Sequence, residues 1–206
     1  MKFRKIKLSP KKGGNGFISS YSVNIGSDEA KECGFILESK KYPYIVKCID
    51  LENEQIIIRK KKLSVDTTTI NTVMHLALEF NRLDEDMMLD VPSEEGLINL
   101  ADIPDVSPTS TNSKVRAVHE AENLLRDYLW SLPDEAVIDI TILMWMGRNH
   151  DYNKSLKGEQ RFIEYWASVC DSPVFDDRKA GVIEYLIEKS PLAEYIKGGL
   201  NAIDKK

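Results

Sequence analysis

Two hydrophobic periods divide the chain, a strand-like period before residue 62 and a helix-like period after it. Tyr21, Val23 and Ile25 alternate with polar residues, which is the period of two expected of a half-buried strand. The same reasoning predicts strands in the segments FRKIKL, YIVKCIDL and QIIIRKK, at residues 3–8, 44–51 and 55–61. The first sixty residues are therefore predicted to be rich in short strands.

A short helix interrupts these strands after Gly26. Ser27 is the predicted N-cap, Asp28 and Glu29 suit the positive end of the helix dipole, and Gly34 is the predicted end. Isolated helices shorter than about 12 residues are marginal in water. We therefore expect the neighbouring strands to hold this helix in place.

Between residues 63 and 83 the apolar positions follow the period of a helix, with Asp66 as the predicted N-cap. The predicted apolar face carries Ile70, Val73, Met74, Ala77, Leu78 and Phe80. His75 is also assigned to this face, where we expect a buried, hydrogen-bonded histidine rather than a ligand. Residues 84–111 then carry eight Asp and Glu residues, three prolines and no Lys or Arg. This composition predicts a long acidic connection that is partly disordered.

Residues 112–203 are predicted to be helical throughout. The segment AVIDITILMWM at 136–146 is apolar on nearly every side, so other helices should surround it, and Gly147 is the predicted end of this helix. Gly198 and Gly199 are expected to let a neighbouring backbone approach closely. Because the apolar faces of this region look complete among themselves, residues 112–203 are expected to fold without the N-terminal module.

The charge distribution also divides the chain in two. Residues 1–62 hold 14 Lys and Arg against 7 Asp and Glu, a net charge of +7, whereas residues 63–206 hold 14 against 26, a net charge of −12. The overall value of −5 thus conceals a basic module joined to a strongly acidic one. We predict two domains, at 1–62 and 63–206, with the acidic, flexible stretch at 84–111.

The order strand, strand, short helix and hairpin in the first domain resembles the swapped-hairpin barrel of AbrB/MazE/SpoVT-type regulators. The matching segments here are residues 5–8, the Gly-Asn turn at 14–15, and residues 23–26, 30–35 and 49–60. Gly26 stands where that family usually has Pro, and Asn24 where it often has Arg. The resemblance implies a dimeric, DNA-binding β-barrel.

The second domain is similar to a helical bacterial domain of unknown function, domain-of-unknown-function family 3775. The similarity lies in the segments LPDE, WMGR and YLIEKSPLAEYIKGGL, at residues 132–135, 145–148 and 185–200. It implies no known activity. Arg148 has two open roles, a cation at a helix C-terminus or a contact to a ligand or partner carboxylate.

Together these features predict an α+β fold: an N-terminal swapped-hairpin β-barrel that is dimeric, an acidic linker and an all-α C-terminal domain. We expect Lys5, Lys7, Lys11 and Lys12 to contact DNA phosphates, and Asn24 to reach a base edge. Two functions remain open. One is a dimeric DNA-binding regulator or antitoxin-like protein whose helical domain senses a partner or ligand, and the other is a dimeric protein–protein interaction module without DNA binding.

Other classes are not expected. His119, His150 and Cys170 lie in no nucleophile, acid/base or metal motif, so we predict no enzyme, no catalytic residue, no metal and no cofactor. The loop KKGGNG at 11–16 lacks the Lys-Ser/Thr ending of a P-loop. An odd cysteine count, the absence of an apolar signal core and a longest apolar run of only residues 140–146 predict a cytoplasmic protein that does not enter membranes.

Overall fold

The computed structural model divides the chain into two compact units, Met1–Lys61 and Lys62–Lys206. It describes residues 9–12, 14, 17–22, 25–33, 35, 45–50, 55–88, 93–94, 97–98, 106–107, 110, 112–170, 172–175 and 178–204. In this part of the chain the structure contains seven α-helices and three two-stranded antiparallel ladders. The fold class is therefore α+β, as predicted.

The N-terminal unit consists of two hairpins with a short helix between them. Strand β1 (Ser9–Lys12) pairs with β2 (Ile18–Ser22), and β3 (Ile45–Asp50) pairs with β4 (Gln55–Lys60), both antiparallel. Helix α1 (Ser27–Glu32) lies between the hairpins in sequence. The second hairpin matches the strands predicted at 44–51 and 55–61. In the first hairpin only β2 overlaps a predicted strand, at residues 21–22, and Lys11 and Lys12, predicted in the loop at 11–16, lie in β1.

Helix α1 begins one residue earlier than predicted. Its N-cap is Gly26 rather than Ser27, because the Glu29 carboxylate accepts the Gly26 N–H at 3.0 Å and satisfies that amide from within the first turn. The helix closes with Cys33 at the C-cap position. Gly34, the predicted end, lies outside the described residues.

The helical unit opens with α2 (Thr67–Met88). The predicted cap is confirmed, since the Asp66 carboxylate accepts the Thr69 N–H at 2.8 Å. The Thr69 hydroxyl donates to the same carboxylate, and these two hydrogen bonds from Thr69 hold the pKa of Asp66 below its usual value. The helix then runs past its predicted end at Leu83, so the first residues of the supposed acidic connection are helical.

Two contacts explain the longer helix. Arg82 pairs with Glu79 at 2.7 Å and with Asp86 at 2.9 Å along the exposed side of α2. On the opposite side Met87 packs with Val115 and other apolar residues in a small cluster. The remaining acidic stretch therefore lies inside the helical unit, between α2 and the next helix, where it includes the short ladder β5–β6 (Ser93–Glu94 with Leu97–Ile98).

Five further helices complete this unit, and a short 3-10 turn precedes the fourth of them. They are α3 (Ser113–Ser131), α4 (Asp134–Asn149), α5 (Gly158–Val169), α6 (Lys179–Ile187) and α7 (Leu192–Asp204), with the 3-10 turn at Pro173–Phe175. Helix α4 is central, since all its residues from 136 to 147 except Ile138 are buried. Helix α2 adds Ile70, Val73 and Ala77 to the same core, so this core is not complete within residues 112–203.

The predicted end of α4 at Gly147 is wrong. The helix continues to Asn149, and His150 follows it as the C-cap in the left-handed conformation at φ 55°. Gly147 instead lies where α4 crosses α7. A Cβ atom on Gly147 would stand 2.6 Å from the amide nitrogen of Gly199, and one on Gly198 would stand 3.0 Å from the Gly147 Cα. The predicted close approach at Gly198 and Gly199 is thus confirmed, with α4 as the neighbour.

Two residues assigned to the buried face of α2 are exposed. The His75 side chain is exposed, and that of Leu78 is 54% exposed. Since successive helical residues turn by about 100°, both lie well off the direction in which Ala77 faces the core. The predicted burial of these two side chains is therefore wrong, and the apolar face of α2 is narrower than its sequence suggests.

Candidate nucleic-acid interface

The structure places two of the five predicted DNA-contacting residues. Lys11 pairs across the first hairpin with Ser20, and Lys12 pairs with Ile18, with a shift of register between them. Both lysines are exposed. As neighbours in one strand their side chains extend to opposite faces of the hairpin, so positive charge is available on both sides of its end.

The other three predicted contacts, Lys5, Lys7 and Asn24, lie outside the described residues. Lys11 and Lys12 are accompanied by further cations in the N-terminal unit. These are the exposed Lys31 and Lys47 and the half-buried Arg59 and Lys60. Arg59 and Lys60 are the last two residues of β4.

The second hairpin carries exposed isoleucines beside its cations. Ile45 lies opposite Lys60 and Lys47 lies opposite Ile58, so these four side chains share one face, together with that of Ile56 two residues from Ile58. On this face Ile45, Ile58 and Ile56 are 48%, 38% and 67% exposed, respectively. This face is therefore apolar and basic at once.

The opposite face of the same hairpin is also uncovered. Ile57 lies between Ile56 and Ile58 and projects to the other side, where it is 42% exposed beside Arg59. Among the side chains that the structure describes in residues 1–61, none is a buried apolar one. A single copy of the N-terminal unit thus presents apolar surface on both sides of β4. The sequence signal was the run of three isoleucines, which sequence reasoning treated only as a strand.

In the helical unit, Arg148 occupies the last turn of α4 and is exposed. Its Nε donates to the Asn149 Oδ1 at 3.0 Å. Tyr165 lies nearby in a buried position, and burial, together with the neighbouring Asp151, raises the pKa of Tyr165 to about 12 although Arg148 acts in the opposite direction. The place of Arg148 suits a cation at a helix C-terminus, and its role as a partner contact stays a prediction.

Two buried polar residues were missed by sequence reasoning. Asp139 is fully buried in α4 and accepts hydrogen bonds from Ser64, and its signal was that it is the single charged residue in an apolar run. Arg161 is 6% exposed and donates to the carbonyls of Ala202 and Lys154, which ties the loop before α5 to the end of α7. The burial of Arg161 could not be predicted from the sequence, because the residues around it have the pattern of an ordinary amphipathic helix, in which an arginine is expected to be exposed.

A groove of about 440 Å³ runs along α3. Its described lining is charged and of mixed sign: Arg116, His119, Glu120, Glu122, Asn123 and Arg126. Arg126 bridges Glu122 at 2.6 Å and Glu184 of α6 at 2.9 Å, and this pairing holds the pKa of Glu184 below its usual value. The groove is therefore braced by its own ion pairs and does not single out a ligand.

Comparison with known proteins gave no match among family models, curated proteins or solved structures. Within the described ranges, no group of three or more His, Cys, Asp and Glu side chains could hold a metal ion. None of the helices that the structure describes has the length and hydropathy needed to cross a bilayer. The two family resemblances accordingly stay predictions.

Proposed function

We propose that the protein is a dimeric DNA-binding protein of the cytoplasm, a transcriptional regulator or an antitoxin-like protein, whose helical unit senses a partner or ligand. The observation that carries the proposal is the exposure of Ile56, Ile57 and Ile58 on both faces of a hairpin, at 67%, 42% and 38%. This hairpin belongs to a region with a net charge of +7. An apolar surface and a basic surface thus lie in the same small module.

The exposed isoleucines support dimerisation. Apolar burial is worth about 25 cal/mol per Å², and an uncovered two-stranded hairpin is marginal by itself. A module of about sixty residues buries only about 60% of the surface of its unfolded chain and is therefore marginally stable. A second copy would cover the same patch reciprocally, as in a two-fold symmetric dimer, and the swapped-hairpin resemblance implies that arrangement.

The lysines support DNA as the ligand. Lys11 and Lys12 are exposed at one end of the first hairpin, and Lys5 and Lys7 precede them in the sequence. Lysine side chains bind phosphates without reading sequence, whereas Asn24 is the predicted reader of a base edge. The acidic helical unit would repel DNA, so binding is assigned to the basic module.

The second candidate is a dimeric interaction module that does not bind DNA. The exposed isoleucines support this second candidate equally, because apolar side chains pack against another protein surface and not against nucleic-acid phosphates. The two candidates differ in salt dependence, because DNA binding releases counterions and weakens steeply as salt rises.

Fluorescence anisotropy of the full chain with duplex DNA over a salt series tests the proposal. In a dimer each lysine occurs twice, so with about −0.9 per phosphate, Lys11→Gln or Lys12→Gln should each flatten log K against log salt by roughly 1.8. Lys197→Gln, an equal charge change at an exposed position of the helical unit, is the matched control and should leave the slope unchanged.

Two outcomes would contradict the DNA proposal: no binding at low salt, or a slope that responds equally to all three substitutions. Light scattering on the same samples tests the dimer separately. A monodisperse monomer at micromolar concentration would remove both candidate functions, since both require two copies.

A further inference from the structure

Three hydrogen bonds hold the chain immediately after the boundary between the two units. The Asp139 Oδ2 accepts the Ser64 amide N–H at 2.7 Å and the Ser64 hydroxyl at 2.8 Å. The Glu159 Oε1 accepts the Leu63 amide N–H at 2.9 Å. Asp139 belongs to α4 and Glu159 to α5, so one carboxylate from each of two helices binds a two-residue segment.

The position of Asp139 makes this arrangement unusual. The residue is 0% exposed in a helix whose other buried side chains are almost all apolar. A buried carboxylate is costly unless hydrogen bonds satisfy it, and removing such partners costs more than removing those of a neutral group. Two of the donors to this carboxylate come from Ser64, 75 positions earlier in the sequence. A buried carboxyl group of the helical core thus fixes the point at which the chain enters this core.

The chain between β4 and the first of these bound residues is consequently short. Strand β4 ends at Lys60 and Leu63 is already bound, so only Lys61 and Lys62 lie between them. Since an extended residue spans at most about 3.6 Å, this connection reaches roughly 10 Å. Lys61 is itself only 2% exposed, which is rare for a lysine. The acidic stretch, in contrast, joins α2 to α3 and lies within the helical unit.

We propose that Asp139, Glu159, Leu63 and Ser64 form a junction staple that keeps the N-terminal unit on a short tether. The staple is complete only while α4 and α5 keep their relative positions, because each helix supplies one of its carboxylates. Displacement of either helix breaks one of these contacts and releases Leu63 or Ser64. The staple thus couples the relative positions of α4 and α5 to the mobility of the segment that follows the N-terminal unit. This inference does not depend on DNA binding.

Limited trypsin digestion of the full chain tests the staple, because the run Arg59–Lys60–Lys61–Lys62 supplies cleavage sites at the junction. When opening is fast relative to cleavage, the rate follows the population of the open state. Asp139→Asn should accelerate cleavage after Lys62 by about tenfold, and Glu159→Gln should do so by a smaller factor. Glu188→Gln, at a carboxylate that is 72% exposed at the C-cap of α6, is the matched control and should leave the rate unchanged.

Cleavage after Lys154, in the loop before α5, is followed in the same digests to separate local from global opening. A selective increase after Lys62 supports the staple, whereas equal increases at both sites, or no increase at Lys62, would overturn it. If Asp139→Asn prevents folding, Ser64→Ala and Glu159→Gln decide the matter, since both change exposed positions. Hydrogen exchange at the Leu63 amide gives a second readout, which should become faster in Glu159→Gln.

Discussion

Two isoleucine-containing segments of this chain differ in exposure. In β4, Ile56, Ile57 and Ile58 are 67%, 42% and 38% exposed, whereas in α4, Ile140 and Ile142 are fully buried. Both segments contain apolar runs in the sequence. The difference arises from what surrounds them, since α4 packs against α7, α6 and α5, while β3 is the one strand that pairs with β4 among the residues that the structure describes. An apolar run in the sequence therefore indicates side chains that favour burial, but it does not identify the segment or chain that buries them.

The two regions also differ in how they use charge. In the N-terminal unit, exposed Lys11, Lys12 and Lys47 belong to a region with an excess of positive charge. In the helical unit, cations are paired within and between helices, as where Arg126 binds both Glu122 and Glu184. The first pattern places lysines at solvent-accessible positions, and the second uses cations to connect helices within the helical unit.

The largest expected effect concerns the boundary of the self-sufficient region. Deleting α2 to leave residues 112–206 removes Ile70 and Val73, each worth about 1.5 to 3 kcal/mol when fully buried, and uncovers the surfaces of α3 and α7. Because whole domains are stable by only about 5 to 15 kcal/mol, we expect this fragment to lose cooperative thermal unfolding. Residues 62–206 should retain it. Calorimetry of both fragments is the measurement, and equal melting of the two would show that α2 is dispensable.

A pair of matched substitutions sharpens the contrast between the two regions. Ile142→Ala should destabilise the helical unit by about 2 to 5 kcal/mol at any protein concentration, as a fully buried large-to-small change. Ile57→Ala should instead alter a melting transition that depends on concentration, because a second copy stabilises the folded state by mass action. Denaturation over a hundredfold dilution series, followed by circular dichroism, distinguishes them. A concentration-independent effect of Ile57→Ala would contradict a covering second copy.

The smallest expected effect is a pH dependence confined to the helical unit. Burial raises the pKa of Tyr165 to about 12, so the folded state keeps the phenolic proton that the unfolded chain loses near pH 10. The stability that the protonated Tyr165 contributes is fully present below about pH 10 and is lost as the pH rises towards 12. By pH 11 the free energy of unfolding has fallen by roughly 1 kcal/mol for this reason. Tyr165→Phe should remove this part of the alkaline loss. Urea titrations at pH 8 and pH 11 measure it, and an unchanged difference between the two values in the variant would refute the assignment.

The elements that sequence reasoning placed well are those with strong local signals. Asp66 caps α2 as predicted, because an Asp before a helix-forming run satisfies amides within its own turn. The apolar run at 136–146 is surrounded by other helices as its composition indicated, since all its residues except Ile138 are buried. The candidate site was less accessible to this reasoning: Lys11 and Lys12 are exposed as a DNA contact requires, but sequence could not assign the isoleucines of β4 to an open surface.

Errors occurred where two distant segments meet. Gly147 was taken as a helix end because glycine commonly closes helices, yet it lies where α7 crosses α4 at close range. His75 and Leu78 were taken as buried, yet the directions from which α3 and α7 approach leave them exposed. The end of α2 was placed too early, because packing of Met87 on Val115 extends the helix into an acidic region. None of these contacts is local in sequence.

The sequence by itself determined the α+β class, the separation of a basic region from an acidic helical one, and the requirement for close backbone approach at Gly198 and Gly199. These follow from periodicity, composition and the absence of a side chain, which act over a few residues. Only the tertiary structure decided that α2 belongs to the helical core, that Asp139 binds Ser64 across 75 positions, and that both faces of β4 stay exposed in one copy. The physical reason is that burial depends on the direction from which distant segments approach, and local periodicity carries no information about that direction.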